Sequence, residues 1–382
     1  MSYNIQMTNN KTDIKELSYD QLSQWLEAHQ IKPYRAKQIH KWIYLYQTDS
    51  FEEMTNLGKN FRELLHKHFT IKRLETETIA KSNDGTEKHL FRLYDNTFSE
   101  CVLIPGKKYY TICVSTQVGC AQKCSFCMTA KGGFTRNLTC GEIINQVRDI
   151  QHYVLQKTKN NPKPLSNIVF MGMGEPFANY NNVLKALKVI TDSDFGLKFS
   201  NRKITLSTCG IVSKFADFGR DSKAGLAISL NATDNKTRTM LMPINDKYPI
   251  ETLLEACRNY PLKHREKITF EYILIKGIND SIEDAKRLVK MLKPIQAKIN
   301  IIPFNEYPDS NFKRPSDAVI ENFLKHLLDS NYTAIIRKSK GGDISAACGQ
   351  LSANQLCKRN FLNCSTEPPT PFVIPPPQGV VI

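Results

Sequence analysis

No stretch of the 382 residues comes near the ~18 consecutive apolar residues that a bilayer-spanning helix needs. The opening segment, MSYNIQMTNNKTDIKEL, lacks the basic and apolar regions of a secretory signal. No basic amphipathic helix stands out that would lie on a membrane surface. These absences argue against a membrane role and make a cytoplasmic location the expectation. Acidic residues are also in deficit: 37 Asp and Glu face 52 Lys and Arg, a formal net charge of +15. A field of that sign attracts polyanions, so nucleic acid is the first partner to expect. In a reducing compartment the eleven cysteines do not form a permanent disulfide framework, which leaves metal ligation, catalysis or burial.

What is present reads as one large domain with appendages, since the length exceeds the usual limit of a single core. Residues 1–70 carry helical periodicity. SYDQLSQWLEAH opens with Ser18 as N-cap and sets Leu22, Trp25 and Leu26 on one face. PYRAKQIHKWIYLYQ begins with Pro33 in its first turn, and NFRELLHKHF is a third short helix. Arg35, Lys37, Lys41, Lys59, Arg62 and Lys67 make this module basic, either as an RNA-contacting domain or as a cap on the rest. Residues 71–105 switch to alternating apolar and polar residues with NDG as a turn, an antiparallel β connector. From about residue 106 to 343 the pattern is strand, loop, helix. Its strands are YYTICVSTQ, LSNIVFMG, RKITLSTCG, GLAISLNA, KITFEYILI and KINIIPFN, with a seventh at YTAIIRKSK. Near-continuous apolar strands alternating with helices predict buried parallel pairing. Six units fall short of a closed eight-fold barrel, so an open or partial barrel is expected, with its chemistry at the C-terminal strand ends. Residues 344–364 form a C-terminal segment, and the Pro-rich stretch 365–382 is expected to be disordered.

The most informative loop is VGCAQKCSFCMTAKGGF, which follows the first of these strands. Cys120, Cys124 and Cys127 fall in a C-x3-C-x2-C spacing that can turn three thiolates toward one region. Soft thiolates favour iron–sulfur clusters, zinc or copper(I). A structural zinc site needs a fourth ligand, and no nearby pair of cysteines or histidines supplies one; Cys113 and Cys140 lack a familiar spacing. In a four-iron cluster three protein ligands leave one iron open for a substrate. Gly172, Gly174 and Glu175, in MGMGEP, follow the second strand as a glycine-rich turn.

This cysteine loop, with Phe126 before its last cysteine, resembles the radical S-adenosylmethionine (SAM) enzymes. Further segments narrow the resemblance: FMGMGEP, LSTCG, AISLNA, INIIPFN and GDISAACGQL stand in order along the chain. Together they resemble RNA methyltransferases of the RlmN type, over most of the chain except the Pro-rich tail. The resemblance implies an α/β partial (β/α)6 radical-SAM barrel with a small helical N-terminal domain and a short β connector. It implies methylation of carbon 2 of an adenosine in 23S rRNA and of the adenosine 3′ of the anticodon in some tRNAs. The implied cofactors are one 4Fe-4S cluster, held by Cys120, Cys124 and Cys127, and SAM. SAM contacts carry over to Gly174, Glu175, Ser207, Ser229, Leu230, Asn231 and Asn305. Some relatives have His where this chain has Asn231. By the same resemblance Cys348 is the methyl carrier, Cys113 the resolving cysteine that leaves a transient disulfide, and Glu100 the proton acceptor. An external, flavodoxin-like electron donor and a monomeric protein are expected.

Cys101, Cys140, Cys209, Cys257, Cys357 and Cys364 match no functional position, and burial is their expected role. No single residue separates carbon 2 from the carbon 8 chemistry of the sister Cfr-type enzymes. An electron-transfer or cluster-sensing protein, and a zinc-stabilised RNA-binding module, remain the readings from other classes.

Overall fold

The computed structural model describes residues 11–158, 163–308 and 310–352. The Pro-rich tail, Cys357, Cys364 and the C-terminal segment beyond residue 352 lie outside the described residues. No described helix is long and apolar enough to cross a membrane.

The helical module opens with a short strand, β1 (Thr12–Asp13), followed by α1 (Tyr19–Ala28). Ser18 caps α1 as expected. Its hydroxyl accepts from the Gln21 amide at 3.2 Å, and the Gln21 side chain accepts from the Ser18 amide at 3.0 Å. This reciprocal box satisfies two amides that no helical carbonyl reaches. Leu22 and Leu26 are fully buried, with Trp25 packed beside them. The second helix starts two residues after Pro33, as α2 (Arg35–His40), and loosens into a π turn over Lys41–Leu45. After α3 (Lys59–His68), β2 (Phe69–Thr70) pairs in parallel with β1 and closes the module.

The connector is an antiparallel meander of β3 (Glu75–Lys81), β4 (Glu87–Arg92) and β5 (Phe98–Pro105). It joins β6 (Tyr110–Cys113) antiparallel and so becomes part of the main sheet. Beyond β6 come β7 (Gln117–Gly119), the short α4 (Met128–Lys131) and β8 (Phe134–Asn137). β7 and β8 form a hairpin that frames the cysteine loop, and α5 (Cys140–Lys157) follows it.

Strand and helix then alternate, in the order β9 (Leu165–Phe170), α6 (Tyr180–Thr191), β10 (Ile204–Thr208), α7 (Phe215–Asp221) and β11 (Gly225–Ser229). The chain continues with α8 (Asn235–Leu241), α9 (Ile250–Arg258), β12 (Ile268–Leu274), α10 (Ile282–Leu292), β13 (Ala297–Pro303), α11 (Asp317–Asp329) and β14 (Thr333–Ile336). The ten strands lie in the order β14-β13-β12-β11-β10-β9-β6-β5-β4-β3. From β6 to β14 every pairing is parallel. Seven parallel strands in near-sequential order make a barrel wall left open, with β14 and β3 at its edges. All seven point their C-terminal ends the same way, which concentrates the following loops at one rim.

The helical module is fastened to α5 by buried charges as well as by apolar packing. Arg148, fully buried, donates to the carbonyls of Ile43 (3.1 Å) and Thr48 (2.7 Å) and to the Asp49 carboxylate (2.7 Å). Glu16 accepts from the Thr139 hydroxyl at 2.6 Å and the Gly141 amide at 3.2 Å, at the start of α5. A single apolar core runs from Leu22 and Ile43 through Ile143 and Val147 to the strands.

Candidate active site

The rim at the C-terminal strand ends encloses a cavity of about 220 Å³. Cys120, Cys124 and Cys127 line it, together with Cys113 and Cys348. Among the described residues no three His, Cys, Asp or Glu side chains are close enough to hold a single metal ion. Three soft thiols lining one cavity suit a polynuclear cluster, in which each thiolate binds its own iron. Burial pushes the Cys120 thiol up to about 12 and Cys124 well above the usual thiol range. Such thiols become thiolates when a metal binds them. The donor set therefore fits an iron–sulfur cluster.

Backbone bonds shape the cysteine loop. The Cys120 amide donates to the Gly133 carbonyl at 2.8 Å, and the Ser125 amide to the Leu241 carbonyl at 3.0 Å. The segment bearing Cys348 is zipped onto the same loop. The Met128 amide donates to the Gly349 carbonyl at 2.7 Å, and the Thr129 hydroxyl to the Leu351 carbonyl at 2.8 Å. Asn305 Nδ2 donates to the Cys348 carbonyl at 3.1 Å, while its Oδ1 accepts from the Ser339 hydroxyl.

The turn after β9 supplies Gly174 and Glu175, both at the cavity wall. Gly174 has φ +98°, and a Cβ there would stand 2.5 Å from the Gln117 Cβ, so no other residue fits. Gln117 in turn accepts from the Glu175 amide at 2.8 Å. The buried Glu175 carboxylate accepts from the Cys209 amide (2.7 Å), the Thr208 hydroxyl (2.7 Å) and the Phe177 amide (3.0 Å). Burial raises its pKa, and these three donors pull against that rise.

Ser207, Ser229 and Asn231, at the ends of β10 and β11, also line the cavity. Asn231 sits in the left-handed region at φ +58°, its Oδ1 accepting from the Ile273 amide at 2.9 Å. Asparagine tolerates that backbone through its short polar side chain. Two predicted residues are not at the cavity wall. Leu230 is fully buried beneath it, its amide donating to the Glu271 carbonyl at 3.0 Å. Glu100, on β5, is buried behind the Cys348 segment. Its carboxylate accepts from the Ser352 amide at 2.8 Å and pairs with Lys88 at 3.1 Å.

Two site residues were missed from sequence. Glu271, in the middle of KITFEYILI, accepts from the Ser207 hydroxyl at 3.2 Å and from Arg337 at 3.1 Å. Arg337, just past β14, faces both Cys113 and Cys348. A lone carboxylate inside an apolar parallel strand was the available signal, because such a charge needs a partner. Burial pushes the Cys113 thiol up to about 12. The Cys348 side chain is open to the cavity yet surrounded by protein, and burial raises its thiol while Arg337 pulls it down. Of the unassigned cysteines, Cys101, Cys140 and Cys257 are buried, whereas Cys209 is buried at the cavity wall itself.

Two family models match the chain: the ribosomal RNA large subunit methyltransferase N-terminal domain over residues 12–71, and the radical SAM superfamily over residues 114–289. That superfamily implies a 4Fe-4S cluster and SAM as cofactors. A dual-specificity RNA methyltransferase RlmN of Desulfosudis oleivorans is 56% identical, covering 90% of this chain and 91% of its own. One from Syntrophus aciditrophicus is 49% identical over 91% of this chain and 98% of its own. A radical SAM methyltransferase structure from Sphaerobacter thermophilus superposes with a TM-score of 0.83 at 38% identity, covering 90% of this chain and 99% of that one. The chain belongs to the RlmN family of dual-specificity RNA methyltransferases, within the radical SAM superfamily.

Proposed function

We propose that this enzyme methylates carbon 2 of one adenosine in 23S rRNA and of the adenosine 3′ of the anticodon in some tRNAs, using Cys348 as methyl carrier. The observation that carries the reading is that Cys113, Cys120, Cys124, Cys127 and Cys348, five of the six thiols lining one cavity, meet at the rim of an open barrel.

Cys120, Cys124 and Cys127 would hold the cluster. Gly174, Glu175, Ser207, Ser229, Leu230, Asn231 and Asn305 would hold SAM, with Leu230 acting through its backbone. When bound, the cluster and SAM supply a methyl group and a carbon-centred radical. Carbon 2 of adenine is electrophilic and its hydrogen is not acidic, so a methyl group cannot be delivered there by simple displacement. The Cys348 thiolate is a nucleophile that can take the methyl instead; burial holds the thiol above its ordinary range, and Arg337 beside it offsets part of that rise. Transfer of a hydrogen atom from the S-methyl group to that carbon-centred radical would leave a protein-bound radical able to add to carbon 2. Glu100 would then accept the carbon 2 proton, which requires the Cys348 segment that covers it, held by the Ser352 amide, to give access. Cys113, as a thiolate, would then attack the Cys348 sulfur: the new sulfur–sulfur bond displaces the carbon–sulfur bond, the freed methylene carbon takes up a proton to become the methyl group, and the remaining unpaired electron would leave to the oxidised cluster, so that a disulfide and the methylated base result.

We assign residues 1–70 to RNA contact, 71–105 to the connector, 106–343 to the barrel and 344–364 to the carrier segment. Exposed Tyr34 and Tyr46 on the helical module, with the Arg35 guanidinium 5.2 Å from the Tyr34 ring, support the first assignment. The net charge of +15 supports a polyanionic substrate.

The test is mass spectrometry on anaerobically reconstituted protein given methyl-deuterated SAM and RNA. Label on Cys348 and 2-methyladenosine in the digested RNA are expected. 8-Methyladenosine would transfer the protein to the sister chemistry. Iron-loaded protein with neither label would overturn the proposal.

A further inference from the structure

Among the described residues three Lys or Arg side chains are fully buried: Lys15, Arg148 and Arg238. Lys15 pairs with Asp13 at 2.9 Å and Arg148 with Asp49 at 2.7 Å. Arg238, on α8, has no carboxylate partner among the described residues. Its guanidinium makes four hydrogen bonds, all to neutral oxygens. Nε donates to the Leu230 carbonyl (3.2 Å), and Nη2 donates to the Cys209 carbonyl (2.8 Å). Nη1 donates to Asn245 Oδ1 (3.0 Å) and the Tyr248 carbonyl (3.2 Å). A buried charge without a counter-charge is costly, and hydrogen bonds to neutral groups offset only part of that cost. The thiols of Cys209, Cys124 and Cys257 lie close enough for a thiolate there to attract it.

Two neighbours of Arg238 also hold the cysteine loop. Leu241, one turn further along α8, accepts from the Ser125 amide (3.0 Å) and hydroxyl (3.3 Å) through its carbonyl. Cys209, whose carbonyl Arg238 holds, donates its thiol to Gln122 Oε1 at 3.5 Å. Ser125 and Gln122 both lie between the three loop cysteines. The buried cation and the loop are therefore one mechanical unit.

We propose that Arg238 is the fixed counter-charge of the cluster, a positioning residue that makes its one-electron reduction easier. The inference rests on the assignment of the cluster to Cys120, Cys124 and Cys127. Three thiolates give the loaded site a net negative charge, and an added electron increases it. A cation that cannot leave and has no carboxylate ion-pair partner among the described residues stabilises the reduced state more than the oxidised one. The same charge explains why the protein keeps an unpaired arginine in its interior: the partner arrives with the cluster.

The experiment is a redox titration of anaerobically reconstituted full-length protein, followed by electron paramagnetic resonance with no SAM added. Arg238→Gln removes the charge, Arg238→Lys keeps it, and Asn245→Asp sets a carboxylate at the oxygen that Nη1 already bonds. At a fixed potential Arg238→Gln should show about tenfold less reduced cluster relative to oxidised, ~59 mV for a one-electron couple. Asn245→Asp should shift in the same direction, and Arg238→Lys should stay close to wild type. Unchanged potentials in both charge-altering variants, at wild-type iron content, would overturn the proposal. So would Arg238→Lys falling as far as Arg238→Gln, since lost hydrogen bonds would then suffice. If Arg238→Gln does not fold, Asn245→Asp alone decides. Wild-type protein that assembles no four-iron cluster would instead overturn the underlying assignment, before any variant is compared.

Discussion

The Met128 amide donates to the Gly349 carbonyl across 2.7 Å, tying the residue after Cys127 to the residue after Cys348. The two cysteine-bearing segments are distant in sequence and share a backbone clip. Gly349 holds φ +81°, a region that an L side chain enters at a cost of about 1–3 kcal/mol. Gly349→Ala should therefore displace the carrier loop and reduce methylation of Cys348 several-fold at unchanged iron content. Intact-mass analysis after incubation with SAM, beside an iron assay, would check both halves.

Gly174→Ala should damage the site differently. A Cβ at that position meets Gln117 Cβ at 2.5 Å and its amide at 2.8 Å, and the φ of +98° adds strain. Gln117 and the Glu175 amide it holds would both shift. We expect SAM affinity to fall at least tenfold, ~1.4 kcal/mol, while the far-ultraviolet spectrum is preserved. Calorimetric binding of SAM to the reconstituted protein is the measurement.

Stability of the helical module should fall in mild acid. Burial lowers His40 to about 4, enclosed by Tyr19, Tyr44 and Phe195 with Asp192 as its charged neighbour. The unfolded chain takes up a proton near pH 6.5 and the folded one does not until about 4, so stability is lost as pH drops between those values. The full effect is on the order of 3 kcal/mol. Glu16 acts in the opposite sense: burial raises it to about 6, so its contribution is present below pH 4.5 and lost as pH rises through 6. Denaturant unfolding of His40→Asn should show a flatter acid limb than wild type, and Glu16→Gln a steeper net loss toward acid.

Arg148→Met should loosen the module from α5 without touching the cavity. It removes donors from the buried Ile43 and Thr48 carbonyls. At about 1–3 kcal/mol for each orphaned acceptor, the combined loss is roughly 2–6 kcal/mol. Hydrogen exchange should rise in α1, α2 and the π turn well before it rises in β9–β12.

Much of the barrel was legible because buried parallel strands advertise themselves as apolar runs, and the cysteine spacing and MGMGEP mark loops directly after two of them. The antiparallel connector was legible as strands, but alternation cannot show which sheet they join; here β5 pairs with β6 and the connector extends the barrel wall. The hairpin of β7 and β8 was hidden because two three- to four-residue strands carry no period. The Ser207–Glu271–Arg337 chain was hidden for a different reason. Each member sits alone in its own strand or strand end, and only parallel pairing of β10 through β14 brings them into line. Cys209 shows the converse: its burial was expected, but burial at a cavity wall beside Gln122 depends on how two loops fold over one another.

Cys113 and Cys348 differ most in how they are held. Cys113 is flanked on both sides, opposite Val102 on β5 and Val169 on β9, whereas Cys348 rides on a loop secured by a few single bonds. A sulfur–sulfur bond between them would thus be made by travel of one partner alone. The loop would swing and the strand would wait. Resetting the enzyme between turnovers would then be a matter of tempo, governed by how quickly the Asn305 and Met128 clips let go, and a loop stiffened there would leave the chemistry intact while slowing the cycle.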